Sequence, residues 1–530
     1  MSGPEEIVLE EGKRLSQCCL WQLQRTYYDR QGVSAWNTGT VPHYITNNPY
    51  IARAYLEVVT GLVRDLRREE LIDPGLPVYL VELGAGAGRH AYYCARELQK
   101  MRELSPWAGL DVRYVLADFT RTNLSFWEEH ERFQPLLEEG LVDFACFDVE
   151  SQADLVLHRS GERLGEDGSN PVVFLANYLF DTLTQDVFRV RQGRLEECRA
   201  RVIASGEPDP DDPDLLQRLT VRYDYRAVEG AAYESEEWNR VLDYYRHRMG
   251  DTVFCLPVGA FRCLENLSRL SGGRFMVLTA DKAWNRLEEL IGLEDPVPML
   301  HGSSFSMTVN FDALGRLLAG VGGVALHSAP RESMLEISAF VQFGDGADLR
   351  ETRTAFAEAI DGFGPFDFFN LKERFLAQPE PNLRQCLDLL RLSRWDPQLL
   401  YDLSGPLAEA VEKAPRLQQR ETRLAVARVW ETYYPIGESY DVPFEVARVL
   451  YRMEDYVGAL RFYEHSLRLF GRHKMTLYNM GLCHFYLGDL KRALELFSDA
   501  LEIDPGYSAA RDWTLRVEQE LHESGVYPAV

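Results

Sequence analysis

The stretch VYLVELGAGAGRH, Val78 to His90, decides how the rest of the chain is read. Six strand-forming residues, Val78 to Leu83, run straight into Gly84, Gly86 and Gly88, after which the pattern turns helical. A glycine cluster directly after an apolar strand lets the backbone approach a ligand closely, and the next helix presents unpaired N–H groups at its start. Alone, this says only that a nucleotide-like ligand is compatible. The dinucleotide fingerprint G-x-G-x-x-G asks for a glycine three residues after Gly86, and Arg89 stands there. The spacing turns the reading away from NAD and FAD.

Outward from this unit, residues 76–343 alternate short β-rich runs with helical stretches, as a parallel sheet with helices on both faces requires. Strands are expected at 78–83, 112–118, 142–148, 171–177 and 273–281, and helices at 89–104, 121–139 and 258–271. FRVRQGRLEECRARV reads as a hairpin, GEPDPDDPD (206–214) as a solvated acidic loop, and MTVNFDALGRLLAGVGGVALHSA as a final βαβ-like piece. Residues 1–75 read as a helical lead-in, with apolar periodicity through Leu15, Leu20, Trp21 and Leu23 and again through Ile51, Ala54, Tyr55, Val58 and Leu62. Between these lies the aromatic, Asn-rich stretch from Val41 to Tyr50, either a cap for the following helix or a lid. The Gly- and Pro-punctuated segment 344–381 reads as a linker.

From 382 to 530 the β signal is gone. Ala459, Tyr463, Ser466 and Gly471 recur 34 residues later as Ala493, Phe497, Ala500 and Pro505. With Gly481 and Gly488 at small-residue positions, 474–507 resembles a tetratricopeptide repeat and 440–473 a weaker copy. Two such repeats bury too little alone, so helices from 382 to 435 and a closing helix at 507–522 are expected to complete a short all-α solenoid.

The bulk properties narrow the function classes. The chain has 530 residues, 46% hydrophobic and 26% charged, enough for a large core and more than one domain. Its formal charge of −25 disfavours nucleic acid as a partner, because phosphate contacts need clustered Lys and Arg. Nine cysteines, with no C-x-x-C pair and no His at zinc spacing, favour reduced thiols and no structural metal. No apolar run reaches 18 residues, and the opening MSGPEEIVLEEGK lacks an apolar signal region, so no membrane association and a cytoplasmic location are expected.

Acids close the first three strands: Glu82, Asp118 and Asp148. Each could be a helix N-cap or turn residue, but three at consecutive strand ends suit a ligand crevice at the carboxyl edge of an α/β sheet. The fourth strand delivers ANYLFDTL, in which Asn177 and Asp181 bracket an apolar Tyr-Leu-Phe; Asp181 is either a helix cap or a proton acceptor.

These features are similar to class I methyltransferases that use S-adenosyl-L-methionine. That resemblance implies a cofactor site made by Glu82, Gly84, Ala85, Gly86, Gly88, Asp118, Asp148 and Asn177: Glu82 toward the amino-acid end, Asp118 toward the ribose hydroxyls, Asp148 toward the adenine amino group. Several segments together resemble the MidA-like family, which includes the mitochondrial complex I assembly-factor arginine methyltransferase: HYITNNPYIARAYLEVV, VELGAGAGRH, VVFLANYLFDTLTQDVF and SFSMTVNFDALGRLLAGVGGVALHSA. Where the family's fourth-strand motif reads Asn-Glu-x-x-Asp-Ala-Leu-Pro, this chain keeps Asn177 and Asp181 but has Tyr178 for the Glu and Thr184 for the Pro. Ala85 and Ala87 replace the family's Pro and Arg, and Asp118 a Glu. The resemblance implies methyl transfer to a protein, arginine in particular, with Asp181 and Asn177 as catalytic residues. Tyr44 and Tyr178 are expected against the substrate, whereas His43, His90 and His301 read more readily as satisfied structural residues than as cavity residues, and the repeats recruit a protein or peptide partner. Two other readings stay open: a small-molecule O- or N-methyltransferase, and a scaffold that keeps the fold without transferring methyl groups.

Overall fold

Near-continuous runs of Val, Leu, Phe and Ala set the centre of the first half of the chain, because a strand covered on both faces has no solvent side to mark with polar residues. The computed structural model describes residues 6–39, 44–165, 169–209, 212, 214–331, 335–344, 348–378 and 381–523. The central sheet contains β1 (Val78–Leu83), β2 (Val112–Asp118), β3 (Val142–Cys146), β4 (Val172–Asn177), β5 (Phe275–Trp284), β6 (Val324–His327) and β7 (Leu335–Gln342). Its order is β3-β2-β1-β4-β5-β7-β6. Strands β1 to β5 are mutually parallel, whereas β7 enters antiparallel between β5 and β6. This is the doubly wound α/β sheet with helical crossovers expected from the sequence. Chain direction reverses across the sheet between β1 and β4, so the crevice beyond their carboxyl ends is the switch point where such sheets bind ligands.

The strand ends differ from expectation where they matter. β3 stops at Cys146, two residues before Asp148. β7 was not anticipated: Glu336 and Ser338 interrupt its apolar run, yet both are buried.

A second, antiparallel sheet is inserted between β4 and β5. Its long strand Arg194–Ser205 pairs with Asp186–Arg191, Leu219–Ala227 and Glu6–Lys13. The lead-in is therefore not helical throughout. EIVLEEGK forms an edge strand in which Glu6 and Glu11 are exposed while Glu10 accepts from Cys19 N at 2.7 Å, a polarity that hides it from a hydrophobicity reading. Beneath this sheet, Leu15, Trp21, Val187, Val202, Phe305 and Met307 share one core. That core fixes helix α1 (Cys19–Gln31) and the hairpin Met299–His301/Ser304–Ser306 beside the crevice.

Helix α2 (Pro49–Arg68) starts on a sequence-encoded cap: Asn48 Oδ1 accepts from Tyr50 N and Ile51 N, and Pro49 occupies the first turn. Its buried Asp65 caps a second helix, Arg350–Phe356, accepting from Thr352 N at 2.7 Å and Thr352 Oγ1 at 2.8 Å. At Gly61 a side chain would meet the Glu351 carbonyl at 2.7 Å, so only glycine allows this approach. The segment read as linker 344–381 is thus partly core: Arg350–Phe356 packs on α2, and Pro365–Leu376 is also helical.

The chain divides into two compact units, Met1–Phe366 and Asp367–Val530. The second is all helix: Leu383–Leu392, Pro397–Glu412 and Arg416–Thr432, then the pairs Val442–Arg452/Tyr456–Phe470 and Lys474–Tyr486/Leu490–Ile503, then Ser508–Glu523. The recurring Ala459, Tyr463, Ala493, Phe497 and Ala500 are all buried, as the seams of stacked helix pairs require. Among the described residues no helix is long and apolar enough to cross a membrane.

Candidate active site

A cavity lies at the carboxyl ends of β1, β2, β4 and β5, with about 150 Å³ open to the centre of a water molecule. Its floor is the glycine turn, where Gly84, Gly86 and Gly88 all have positive φ. At Gly86 a side chain would also sit 2.9 Å from the Trp36 ring, so the glycine answers both backbone and packing. Gly84, Ala85, Gly86 and Ala87 line the cavity; Gly88 instead starts helix α3 (Arg89–Met101) beneath Trp127.

The acids at the strand ends have separate fates. Glu82 is buried and bonds two partners, His90 Nδ1 at 3.0 Å and the Tyr114 hydroxyl. Burial alone would lower the His90 pKa, but Cys94 and Glu82 carry it well above the ordinary imidazole value. Asp118 accepts four hydrogen bonds, from Gly86 N at 3.0 Å, Asn123 Nδ2 at 3.1 Å, Thr120 N at 3.0 Å and Thr120 Oγ1 at 2.9 Å. These fill its lone-pair positions and tie β2 to the glycine turn. Burial still raises its pKa against those bonds.

Asp148 does not join them. It pairs with Arg25 at 2.7 Å and accepts from Ser151 Oγ and Glu150 N, and it is not on the cavity wall. Arg25 in turn lies over the Phe119 ring at 4.5 Å. After β2, Phe119, Thr120 and Asn123 line the cavity. Tyr44 is also displaced: Thr46 and Asn47 line the cavity, while the Tyr44 carbonyl accepts from Asn48 Nδ2 at 2.9 Å. His43 lies outside the described residues.

Asn177 lines the cavity but its amide is engaged. Oδ1 accepts from Tyr55 OH at 2.7 Å and Ala280 N at 3.1 Å, and Nδ2 donates to Thr46 O at 3.0 Å. It clamps β4, β5, α2 and the Thr46 turn together. Tyr178, the next residue, holds φ +49°, a strained conformation for a bulky side chain. Burial first, and Asp181 second, push its hydroxyl pKa upward.

Asp181 is 3% exposed, and its Oδ1 has no hydrogen-bond partner. Burial pushes its pKa up to about 6, against the lowering effects of Lys282, Asp281 and Ser306. Asp281 lies behind it, fully buried, accepting from Asp181 N at 3.2 Å and from Thr279 Oγ1 at 2.6 Å. Burial and the Asp181 charge hold Asp281 far above the usual carboxylate range. Asn47 Oδ1 and Asn123 Oδ1, on the same cavity wall, are likewise buried without partners. His90 and His301, read from the sequence as structural residues, also line the cavity. The sequence reading missed Lys282, Phe305 and Ser306, which also line it, as do Tyr28 and Trp36, stacked at 5.9 Å.

The tetratricopeptide repeat family model matches residues 442–505. No curated protein matches the chain. Among solved structures the chain is similar to a COG1565 superfamily protein from Burkholderia thailandensis, at TM-score 0.38 and 12% identity over 63% of this chain and 88% of that one. It is similar too to a COG1565 superfamily member from the same organism bound to S-adenosyl-homocysteine, at TM-score 0.39 and 13% identity over 65% of this chain and 90% of that one. MamA from Desulfovibrio magneticus RS-1, from residue 41 to its end, aligns at TM-score 0.24 and 20% identity over 30% of this chain and 88% of that one.

Proposed function

We propose that the first unit transfers a methyl group from S-adenosyl-L-methionine to a protein acceptor recruited by the helical repeats, with Asp181 receiving the acceptor's proton. The observation that carries this reading is the set of three unpartnered acceptor oxygens, Asn47 Oδ1, Asn123 Oδ1 and Asp181 Oδ1, around a cavity floored by the glycine turn. A buried polar atom without a partner is costly, and its occurrence in a cleft at a sheet's switch point supports a polar ligand there. S-adenosyl-L-methionine brings matching donors: an adenine amino group, ribose hydroxyls and an α-ammonium. Gly84 to Ala87, Asn47 and Asn123 would hold it, and Asp118 would take the ribose by exchanging its Thr120 or Asn123 bonds. Bound, it supplies an electrophilic methyl on a sulfonium.

The chain's own residues then do the rest. An acceptor nitrogen must be oriented and relieved of a proton as the new bond forms. Asp181, with a pKa near 6 and one free oxygen, is mostly ionised at pH 7 and suited to that task. The fixed Tyr178 ring, at the position where the MidA-like family has Glu, forms an apolar wall beside it. An arginine acceptor, the form suggested by that family resemblance, has a guanidinium pKa above about 12 and needs such a carboxylate. The helical repeats support a protein partner, because concave repeat surfaces commonly bind peptides or helices.

A scaffold reading is favoured by one observation, the internal saturation of Glu82, Asp118 and Asn177. The test is incubation of the full chain with methyl-labelled S-adenosyl-L-methionine and cell extract, followed by mass mapping. Label on protein is expected, and label on arginine supports the narrower form. Label confined to small molecules rejects the protein acceptor. Cofactor binding by calorimetry without any transfer would favour the scaffold.

A further inference from the structure

Lys282, near the end of β5, stands half-buried on the cavity wall. Its Nζ lies 3.2 Å from His301 Nε2 and 4.0 Å from Met299 Sδ, both on the hairpin of Met299–His301 and Ser304–Ser306. Among the described residues no oxygen lies within hydrogen-bond distance of that Nζ. Burial and the ammonium both lower the His301 pKa, so the ring is neutral and Nε2 can take one hydrogen on its one lone pair. Ser306 Oγ, 3.0 Å from the same nitrogen, competes for that lone pair. An ammonium has three hydrogens to give, so at least one has no acceptor and another meets only a weakly accepting thioether. The charge is also uncancelled. The chain has 82 acidic and 57 basic residues, yet Lys282 meets no carboxylate within ion-pair distance. Asp181, on the same wall, keeps an unpartnered oxygen and makes no ion pair with it.

The place of Lys282 along the sheet edge says which ligand it faces. The strands run β2-β1-β4-β5 in space, carrying in turn Asp118, the glycine turn, Asn177 followed by Asp181, and Lys282. Neighbouring strands are about 4.8 Å apart, so Lys282 stands about 10 Å beyond the strand of the glycine turn. In the proposed placement the cofactor lies over β2 and β1 and its methyl group meets the acceptor over β4, which leaves the β5 end to the acceptor. We propose that Lys282 binds a carboxylate carried by the methyl acceptor, so that the acceptor presents a nitrogen to Asp181 and an acid to Lys282. This rests on the proposed function. In a protein acceptor the motif is a basic residue close to Asp or Glu. An ammonium on a carboxylate is a charge-assisted hydrogen bond, stronger than the imidazole and thioether contacts that Lys282 makes in the empty cavity.

The experiment uses the full chain in three measurements. In the first, with S-adenosyl-homocysteine bound, sodium acetate is titrated against sodium chloride at constant ionic strength. The His301 ring-proton NMR signal, identified by its loss in His301→Gln, should move saturably with acetate; Lys282→Met should abolish the movement and Lys282→Arg should keep it. In the second, calorimetry compares S-adenosyl-homocysteine with methylthioadenosine, which lacks the amino-acid carboxylate. Lys282→Met should leave both affinities within about twofold. A tenfold loss for S-adenosyl-homocysteine alone would give the lysine to the cofactor's carboxylate and overturn the inference. In the third, methyl transfer to the labelled protein acceptor should show KM raised by about tenfold in Lys282→Met with kcat lowered less than threefold, the mark of a lost binding contact. Exchanging the acceptor's acid nearest the labelled residue for its amide should raise KM equally in the unaltered chain and no further in Lys282→Met. An acetate-insensitive His301 signal, or an unchanged KM in Lys282→Met, overturns the inference. If the unaltered chain transfers nothing, the proposed function fails, and the acetate titration alone decides whether Lys282 binds a carboxylate.

Discussion

Asp181→Asn separates chemistry from stability at one atom. The carboxylate is 3% exposed, one oxygen has no partner, and its pKa is about 6 against an ordinary 3.8. A raised carboxylate pKa works against folding: between the two values the native state binds more protons than the unfolded state, so stability falls as pH rises from about 3.8 to 6 and levels off above. The difference of roughly two units corresponds to on the order of 3 kcal/mol at pH 8. Asparagine keeps the shape without the charge. The variant should therefore be more stable than the unaltered chain at pH 8, by up to about 3 kcal/mol, and equal to it near pH 3.5, where both side chains are neutral. Methyl transfer should drop by about 10² to 10⁴, the usual contribution of a positioned base. Denaturant unfolding at both pH values gives the stability term, and labelled-cofactor assays give the rate. A variant less stable at pH 8, or one that retains transfer, refutes the reasoning for the corresponding half.

Three further outcomes are expected. Gly86→Ala forces a side chain into a φ +52° backbone 2.9 Å from the Trp36 ring, and should cost about 1–3 kcal/mol with at least tenfold weaker cofactor binding by calorimetry; unchanged melting would contradict this. Asp148→Ala should leave cofactor affinity within about twofold, because Asp148 bonds Arg25 off the cavity wall, and its partly exposed ion pair is worth under about 1 kcal/mol. Gly481→Ala would put a methyl 2.6 Å from the Phe497 ring and should destabilise the repeats by about 1–3 kcal/mol, read as lost hydrogen-exchange protection in 474–503 of the full chain.

What could be read in the sequence follows from how local each feature is. The strand and glycine turn of Val78–Gly88 were legible because their signals, an apolar run and positive-φ glycines, lie within a dozen residues. The repeats were legible because small buried residues recur at a fixed spacing. Asp148 was misplaced because an apolar pattern does not mark where a ladder stops, and β3 ends at Cys146. Strand β7 was missed because buried Glu336 finds its partners in Asn285 and Ser328, so its polarity misleads a reading along the chain. Lys282 and the Tyr55–Asn177 bond were invisible for a related reason: their contacts span 19 and 122 residues and leave no periodic trace.

The Trp36 ring beside Gly86 makes the turn optically readable. A ligand that meets the backbone of that turn also meets an indole stacked on Tyr28. Because indole emission depends on its surroundings, the fluorescence change lost in Trp36→Phe reports each arrival.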